Sequence, residues 1–192
     1  MKLLNVNILI FLLLLTSCDI FETREPEEPE SGRSATLPAT TPSQLFENLK
    51  LALKDKAVDN YMRLFVDEFS MNAEFSFVPS SGAASKYPSL LQWDLNSERL
   101  YFNNVKVATP EGGSMILTQS EINNITTVDS AVFQFDYTLI VPFSESELEN
   151  TFRGRAEYTI KLNTNNEWVI TRWEDIEVEN FSSWSELKGL FN

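Results

Sequence analysis

The chain has 192 residues, 43% of them hydrophobic and 22% charged, which suits one globular domain carrying non-globular appendages. Lys and Arg total 15 against 28 Asp and Glu, and the net charge of −13 argues against nucleic-acid phosphates and anionic lipid headgroups as partners of the folded part. Histidine is absent and cysteine occurs once, which excludes intrachain disulfides, Cys or His zinc sites and every mechanism that needs an imidazole; no metal and no cofactor is expected.

At the N-terminus Lys2 supplies a short positive region. The apolar run Ile8-Leu9-Ile10-Phe11-Leu12-Leu13-Leu14-Leu15 is too short to span a bilayer and reads as a secretory signal. Leu15-Thr16-Ser17-Cys18 follows directly and resembles the lipobox of bacterial lipoproteins: an aliphatic residue, two small residues, then the cysteine whose thiol takes a diacylglyceryl group. The resemblance implies a signal peptide over residues 1–17, cleavage before Cys18, and acyl chains such as palmitate on the new N-terminal residue. At about 0.8 kcal/mol per buried methylene, two or three chains hold a protein on a membrane where one is marginal. The expected address is the bacterial cell envelope, with the membrane contacted through lipid on Cys18. Asp19 resembles the inner-membrane retention signal of enteric bacteria, whereas acidic residues soon after the cysteine resemble surface-export signals of other lineages, so inner and outer membrane both stay open.

From residue 18 to residue 41 the composition shifts. Glu22, Glu25, Glu27, Glu28 and Glu30 alternate with Pro26 and Pro29, then Ser, Gly, Thr and Pro38 follow. No apolar periodicity survives, so this stretch is expected to be a disordered acidic tether with a reach of roughly 30 Å as a coil. The folded domain is expected over residues 42–192.

Thr41-Pro42-Ser43-Gln44 offers an N-cap, a proline at the first helical position and a glutamine placed to complete a capping box. Leu45, Leu49, Ala52 and Leu53 then share one helical face. Asp55 reads as the cap of a second helix with Val58, Tyr61, Met62 and Phe65 as its stripe. Residues 73–78 alternate as a short strand around Phe75 and Phe77, and a loop is expected from Pro79 to Pro88. A third helix over residues 89–105 is supported by Leu91, Leu95, Phe102 and Val105, with Glu98 interrupting its face.

The second half changes period. Four strands are expected over about 115–128, 131–143, 151–162 and 167–178. In the second, Ala131, Phe133, Phe135, Tyr137, Leu139 and Val141 oppose Gln134, Asp136 and Thr138. In the third, Ala156, Tyr158, Ile160 and Leu162 oppose Arg155, Glu157, Thr159 and Lys161. Asn163-Thr164-Asn165-Asn166 turns the third strand into the fourth. Ser183-Trp184-Ser185-Glu186 reads as a second capping box that opens a terminal helix with Trp184, Leu187 and Phe191 on one side.

Helices followed by a long antiparallel meander make an α+β domain with the helices packed on one face of a curved antiparallel sheet. Pro42-Ser43-Gln44-Leu45-Phe46 opening a helix, Asp67-Glu68-Phe69 after the second, Trp93 in the third and the four late strands together resemble the nuclear transport factor 2-like superfamily. This is a cone-shaped fold that also houses polyketide cyclases and ketosteroid isomerases. The resemblance spans about residues 42–180, and since no residue matches a catalytic signature it implies a cavity rather than a reaction.

A carboxylate–tyrosine pair on the sheet could be drawn from Asp136, Glu157 or Asp175 with Tyr101, Tyr137 or Tyr158, yet Asp136 and Glu157 read more simply as solvated or cross-strand paired. Trp173 among Arg172, Glu174 and Asp175 reads as a ligand clamp or, more simply, a charge-paired strand edge. Arg153 and Arg155 flanking Gly154 are an anion grip or plain structure. Trp93, Tyr101, Phe133, Tyr158 and Trp173 are the aromatics expected to line a pocket or an interface. The expectation is a non-enzymatic, envelope-tethered domain that binds a protein partner or a small apolar ligand, or pairs as a homodimer through its exposed sheet face. The alternative is a small-molecule isomerase or hydrolase using a pocket carboxylate.

Overall fold

In the computed structural model the described residues are 36–67, 71–145, 147–178 and 180–192. The signal peptide, Cys18 and the tether up to residue 35 lie outside them, as do Glu68 and Phe69. Residues 36–41, expected to end the tether, run against the domain instead. The carbonyl of buried Ala39 accepts from the Trp168 N–H at 2.8 Å, and Asn48 Nδ2 donates to the Leu37 carbonyl at 2.7 Å. Such anchoring uses backbone carbonyls, which leave no trace in apolar periodicity.

Thr41 caps α1 (Pro42–Lys54), its hydroxyl accepting from the Gln44 N–H at 3.2 Å. The capping box stays half-made, because Gln44 Nε2 donates to Asn48 at 2.9 Å. Leu45, Leu49, Ala52 and Leu53 are fully buried, as their spacing requires. Asp55 closes α1 rather than opening α2 (Val58–Met62), which follows Ala57 after Lys56 turns the chain at φ 51°. After β1 (Ser76–Val78), the expected loop holds a short helix, α3 (Ser81–Lys86), whose first turn is met by Glu177 accepting from the Gly82 N–H at 3.1 Å. A carboxylate from a distant strand thus supplies what the Ser-Ser-Gly composition lacks. The expected third helix is split: a 3₁₀ turn (Pro88–Gln92), an extended Trp93, then α4 (Leu95–Ala108). Asp94 makes the break, because its side chain accepts from the Ser97 N–H at 2.8 Å as an N-cap.

The four late strands are β2 (Ile116–Thr126), β3 (Ser130–Ile140), β4 (Thr151–Leu162) and β5 (Trp168–Glu177). They form one antiparallel sheet in the order β1-β5-β4-β3-β2, with β1 added in parallel against β5. Register breaks between Glu121 and Asn123 and between Thr159 and Ile160 are the bulges that bend it. The alternation holds: Ala131, Phe133, Phe135, Tyr137 and Leu139 on β3 and Ala156, Tyr158 and Ile160 on β4 are buried. Asn163 Oδ1 accepts from the Asn165 and Glu167 N–H groups at 2.9 and 3.0 Å and shapes the β4–β5 turn, with Asn166 at φ 58°. The helices cover the inner face, and α5 (Trp184–Leu190) closes one end of the core.

Candidate functional site

Inside the curved sheet lies a polar cluster that the helix pattern alone disguises. α4 carries Glu98 on the same face as Tyr101, Phe102 and Val105, and all four are fully buried. Glu98 Oε1 accepts from Tyr61 Oη at 2.6 Å, and Oε2 accepts from Trp93 Nε1 at 2.6 Å. The same Oε2 pairs with the ammonium of Lys188, which α5 inserts with no exposed surface. Around the ammonium stand the rings of Trp173 and Phe77, with centroids 3.9 and 4.0 Å away, and those of Trp93 and Tyr101 at 5.3 and 5.5 Å. The π-faces and the carboxylate together replace the water the cation has lost. Burial holds Lys188 down at about 8, against the upward pull of Glu98. Burial, then the charge of Glu98, pushes the Tyr61 and Tyr101 hydroxyls well above their ordinary value.

A second cluster sits on β5. Asp175 is buried; its Oδ1 accepts from Tyr137 Oη at 2.7 Å, and its Oδ2 accepts from the N–H and the hydroxyl of Ser185 at 2.7 and 2.5 Å. The expected capping box of the terminal helix is replaced by this arrangement. Ser183 Oγ pairs with Ser80 Oγ at 3.1 Å, and the first-turn donor of α5 goes to Asp175. Tyr137 Oη in turn accepts from the Trp184 N–H at 2.6 Å. Burial raises the Asp175 carboxyl, while the hydrogen bonds from Ser185 and Tyr137 pull it down. Gly154, opposite Tyr137 in the ladder, makes room for the tyrosine: a Cβ there would stand 2.6 Å from Tyr137 Oη and 2.8 Å from the Ile176 carbonyl. Gly154→Ala is therefore expected to push Tyr137 off Asp175 and to lower stability by about 1–3 kcal/mol, read as a shift of the denaturant midpoint.

Of the aromatics singled out in the sequence, Trp93, Tyr101, Tyr158 and Trp173 converge on this interior, with Tyr158 and Trp173 packed at 5.2 Å between centroids. Tyr158 Oη and Trp173 Nε1 are buried without a hydrogen-bond partner among the described residues. Phe133, opposite Tyr158 in the β3–β4 ladder, packs with Phe46 and Phe135 at the side of the same core, where they border a cleft of about 320 Å³ also lined by Ser43, Glu47, Lys50, Gln119 and Glu121. Asp136 pairs with Arg155 on the exposed face, and Glu157 meets Gln134 and Arg172. Arg153 lies over the Phe181 ring at 4.4 Å, so the two arginines do not converge on one anion. Trp173 is not on a strand edge, because β1 covers β5; its neighbours Arg172 and Glu174 pair at 2.5 Å on the outer side. Glu98 and Lys188 were missed as a pair. The available signal was a charge on each of two apolar faces, Glu98 near Phe102 and Lys188 four residues after Trp184, but neither face names its partner.

Comparison with solved structures identifies the architecture. A provisionally assigned dehydratase of the nuclear transport factor 2-like family from Streptomyces avermitilis matches 71% of this chain and 92% of its own at 9% identity, with a TM-score of 0.53. A nuclear transport factor 2-like superfamily protein from Salmonella enterica matches 69% of this chain and 84% of its own at 13% identity, TM-score 0.50. The domain has the nuclear transport factor 2-like fold. A provisionally assigned aromatic ring hydroxylase from Novosphingobium aromaticivorans is similar over 76% of this chain and 92% of its own, at 14% identity and a TM-score of 0.54. No protein-family model matches the sequence, and no curated protein matches it. On this fold the Glu98–Lys188 pair, with its aromatic surround, is buried where α4 and α5 bring their charges together.

Proposed function

We propose that the chain is an envelope-anchored lipoprotein, held by lipid on Cys18, whose domain binds a small apolar ligand or a protein partner without transforming it. The observation that carries the non-catalytic part is the bonding of the two carboxylates buried among the described residues. Glu98 is taken by Tyr61, Trp93 and Lys188, and Asp175 by Tyr137 and twice by Ser185. A general base needs a lone pair directed at substrate, and both of these side chains are committed to protein donors. Binding is supported by the aromatic cleft at Phe133 and by an outer sheet face on which Ile116, Ile125 and Ile140 are exposed along β2 and β3. The anchor is supported by Leu15-Thr16-Ser17-Cys18.

The alternative, a small-molecule isomerase or hydrolase using a pocket carboxylate, has one observation in its favour, the buried Asp175–Tyr137 pair at 2.7 Å. The extra donors on Asp175 weigh against it.

Two measurements test the proposal. In cells fed a clickable palmitate analogue, the wild-type chain should carry label and sediment with membranes, and Cys18→Ser should lose the label and either leave the membrane or stay uncleaved; label on the Cys18→Ser chain would remove the anchor. Mild detergent extraction followed by mass spectrometry should find a small molecule or a protein partner retained unchanged on the mature chain. Turnover of a retained compound that Asp175→Asn abolishes while the domain stays folded would overturn the non-catalytic reading.

A further inference from the structure

We propose that the groove where the C-terminal ends of α4 and α5 meet the loop over residues 143–149 docks a basic amphipathic helix of a partner protein. The inference rests on the partner-binding reading above and adds to it a surface and the chemistry of its occupant.

The groove begins as a second apolar stripe on α4. The inward stripe holds Glu98, Tyr101, Phe102 and Val105, whereas Leu100 and Val107 point outward, 50% and 84% exposed. Two helical turns separate them, so they share one face about 10 Å long. α5 brings Leu190, 46% exposed, to the same place, and Val107, Ala108, Leu148, Leu190 and Phe191 line a groove of about 630 Å³. Its walls are tied down: Asn104 Nδ2 donates to the Phe191 carbonyl at 2.8 Å, the Ser144 N–H donates to the Ala108 carbonyl at 3.2 Å, and the Phe143 and Phe191 rings stack at 5.1 Å. A preformed groove spares a binding partner the cost of ordering it.

Charge chooses the occupant. Glu145, Glu147 and Glu149 are all exposed in the loop that forms one wall. Lys106, beside Val107 on α4, turns the other way, among Asp55, Asp59 and Glu111. An acidic rim around an apolar floor suits a helix with leucine-type side chains along one face and lysines or arginines flanking them. A second copy of the chain would bring the same glutamates and a further net charge of −13, and anionic headgroups would be repelled in the same way.

The experiment titrates the full chain in a neutral detergent, at fixed micelle concentration and with protein-free blanks subtracted, against three peptides. The first is two KLAKLAK heptads, amphipathic as a helix; the second is a scramble of the same composition with no apolar face; the third has glutamate in place of lysine. Calorimetry should show the first binding at least about tenfold more tightly than either of the others. Val107→Ser, at a side chain already in solvent, should weaken the first peptide about fivefold without moving the melting temperature, and should leave the scramble unchanged. Glu145→Gln combined with Glu147→Gln should weaken the first peptide and flatten the fall of its affinity with salt. No binding of the first peptide, equal binding of the scramble, or binding that ignores Val107→Ser overturns the proposal. So does a dimer, or attachment to zwitterionic vesicles, that Val107→Ser abolishes, because the groove then belongs to a second copy or to lipid. If the native chain retains a ligand or partner whose binding ignores Val107→Ser, this surface falls while the binding reading stands. If no peptide binds and the native chain retains neither ligand nor partner, both fall.

Discussion

Lys188→Met should lower the unfolding free energy by about 3–5 kcal/mol, and adding Glu98→Gln should restore most of that loss. Methionine keeps the apolar stem of the side chain, so little packing is lost. What changes is that Glu98, fully buried and bonded to Tyr61 and Trp93, is left as a negative charge without a countercharge. Glutamine in its place removes the charge, keeps its oxygen for the Trp93 N–H and turns its amide N–H₂ toward the Tyr61 hydroxyl, which can accept. Urea midpoints of the wild type, the single variant and the double variant measure the difference. A double variant no more stable than Lys188→Met would show that the ammonium is held by the rings of Trp173 and Phe77 rather than by its carboxylate.

The same pair gives the domain a pH signature. Burial holds the Lys188 ammonium at about 8 in the fold, against an ordinary value of 10.5. Between those values the unfolded chain binds more protons than the folded one, so this group's contribution to stability rises with pH, by up to about 1.4 kcal/mol per unit. Above the ordinary tyrosine value of 10.0 the buried Tyr61, Tyr101, Tyr137 and Tyr158 act oppositely, holding protons that the unfolded chain releases. They are shared by the wild type and the double variant. The stability difference between those two proteins, followed from pH 7 to pH 10, should therefore isolate Lys188 and move in favour of the wild type. A flat difference would mean that the ammonium keeps its ordinary proton affinity.

Asp175→Leu should cost a comparable amount, about 3–5 kcal/mol, because it deprives three buried donors of their acceptor at once, at about 1–3 kcal/mol each. These are Tyr137 Oη and the N–H and hydroxyl of Ser185. The damage should be directional. Ser185 lies in the first turn of α5, so the terminal helix, and with it Trp184 and Lys188, should loosen before the sheet does. Hydrogen exchange should show α5 amides losing protection while the paired amides of β3 and β4 keep theirs. Asp175→Asn, which retains one carbonyl oxygen, should be milder. Unchanged protection of α5 in the leucine variant would show that this carboxylate does not anchor the helix.

Much of the fold was legible along the chain because one period persisted over many residues. Ala131 through Val141 and Ala156 through Ile160 are buried at alternate positions as read, and α1 begins at Pro42 behind a Thr41 cap. The misreadings share a cause. Asp55 and Ser183 have the chemistry of helix caps, yet Asp55 ends one helix, and Ser183, which does stand at the N-cap of α5, turns its hydroxyl to Ser80 across the fold instead of to the helix. α3 is stabilised by Glu177, which lies 95 residues further along the chain than Gly82. Local patterns rank candidates for a cap; competition among distant partners chooses one.

The aromatic load is gathered in one core: Trp93, Tyr101, Tyr158 and Trp173 meet in the interior, and Phe133 stands opposite Tyr158 in the ladder. The sequence by itself determined the helix and strand periods, the buried faces of β3 and β4 and the absence of histidine chemistry, all of which follow from residue type and spacing. Only the tertiary structure decided that Glu98 meets Lys188 across 90 positions and that Asp175 accepts from the first turn of α5. Periodicity reports which face is turned inward, whereas pairing depends on which groups the closed chain brings within hydrogen-bond reach.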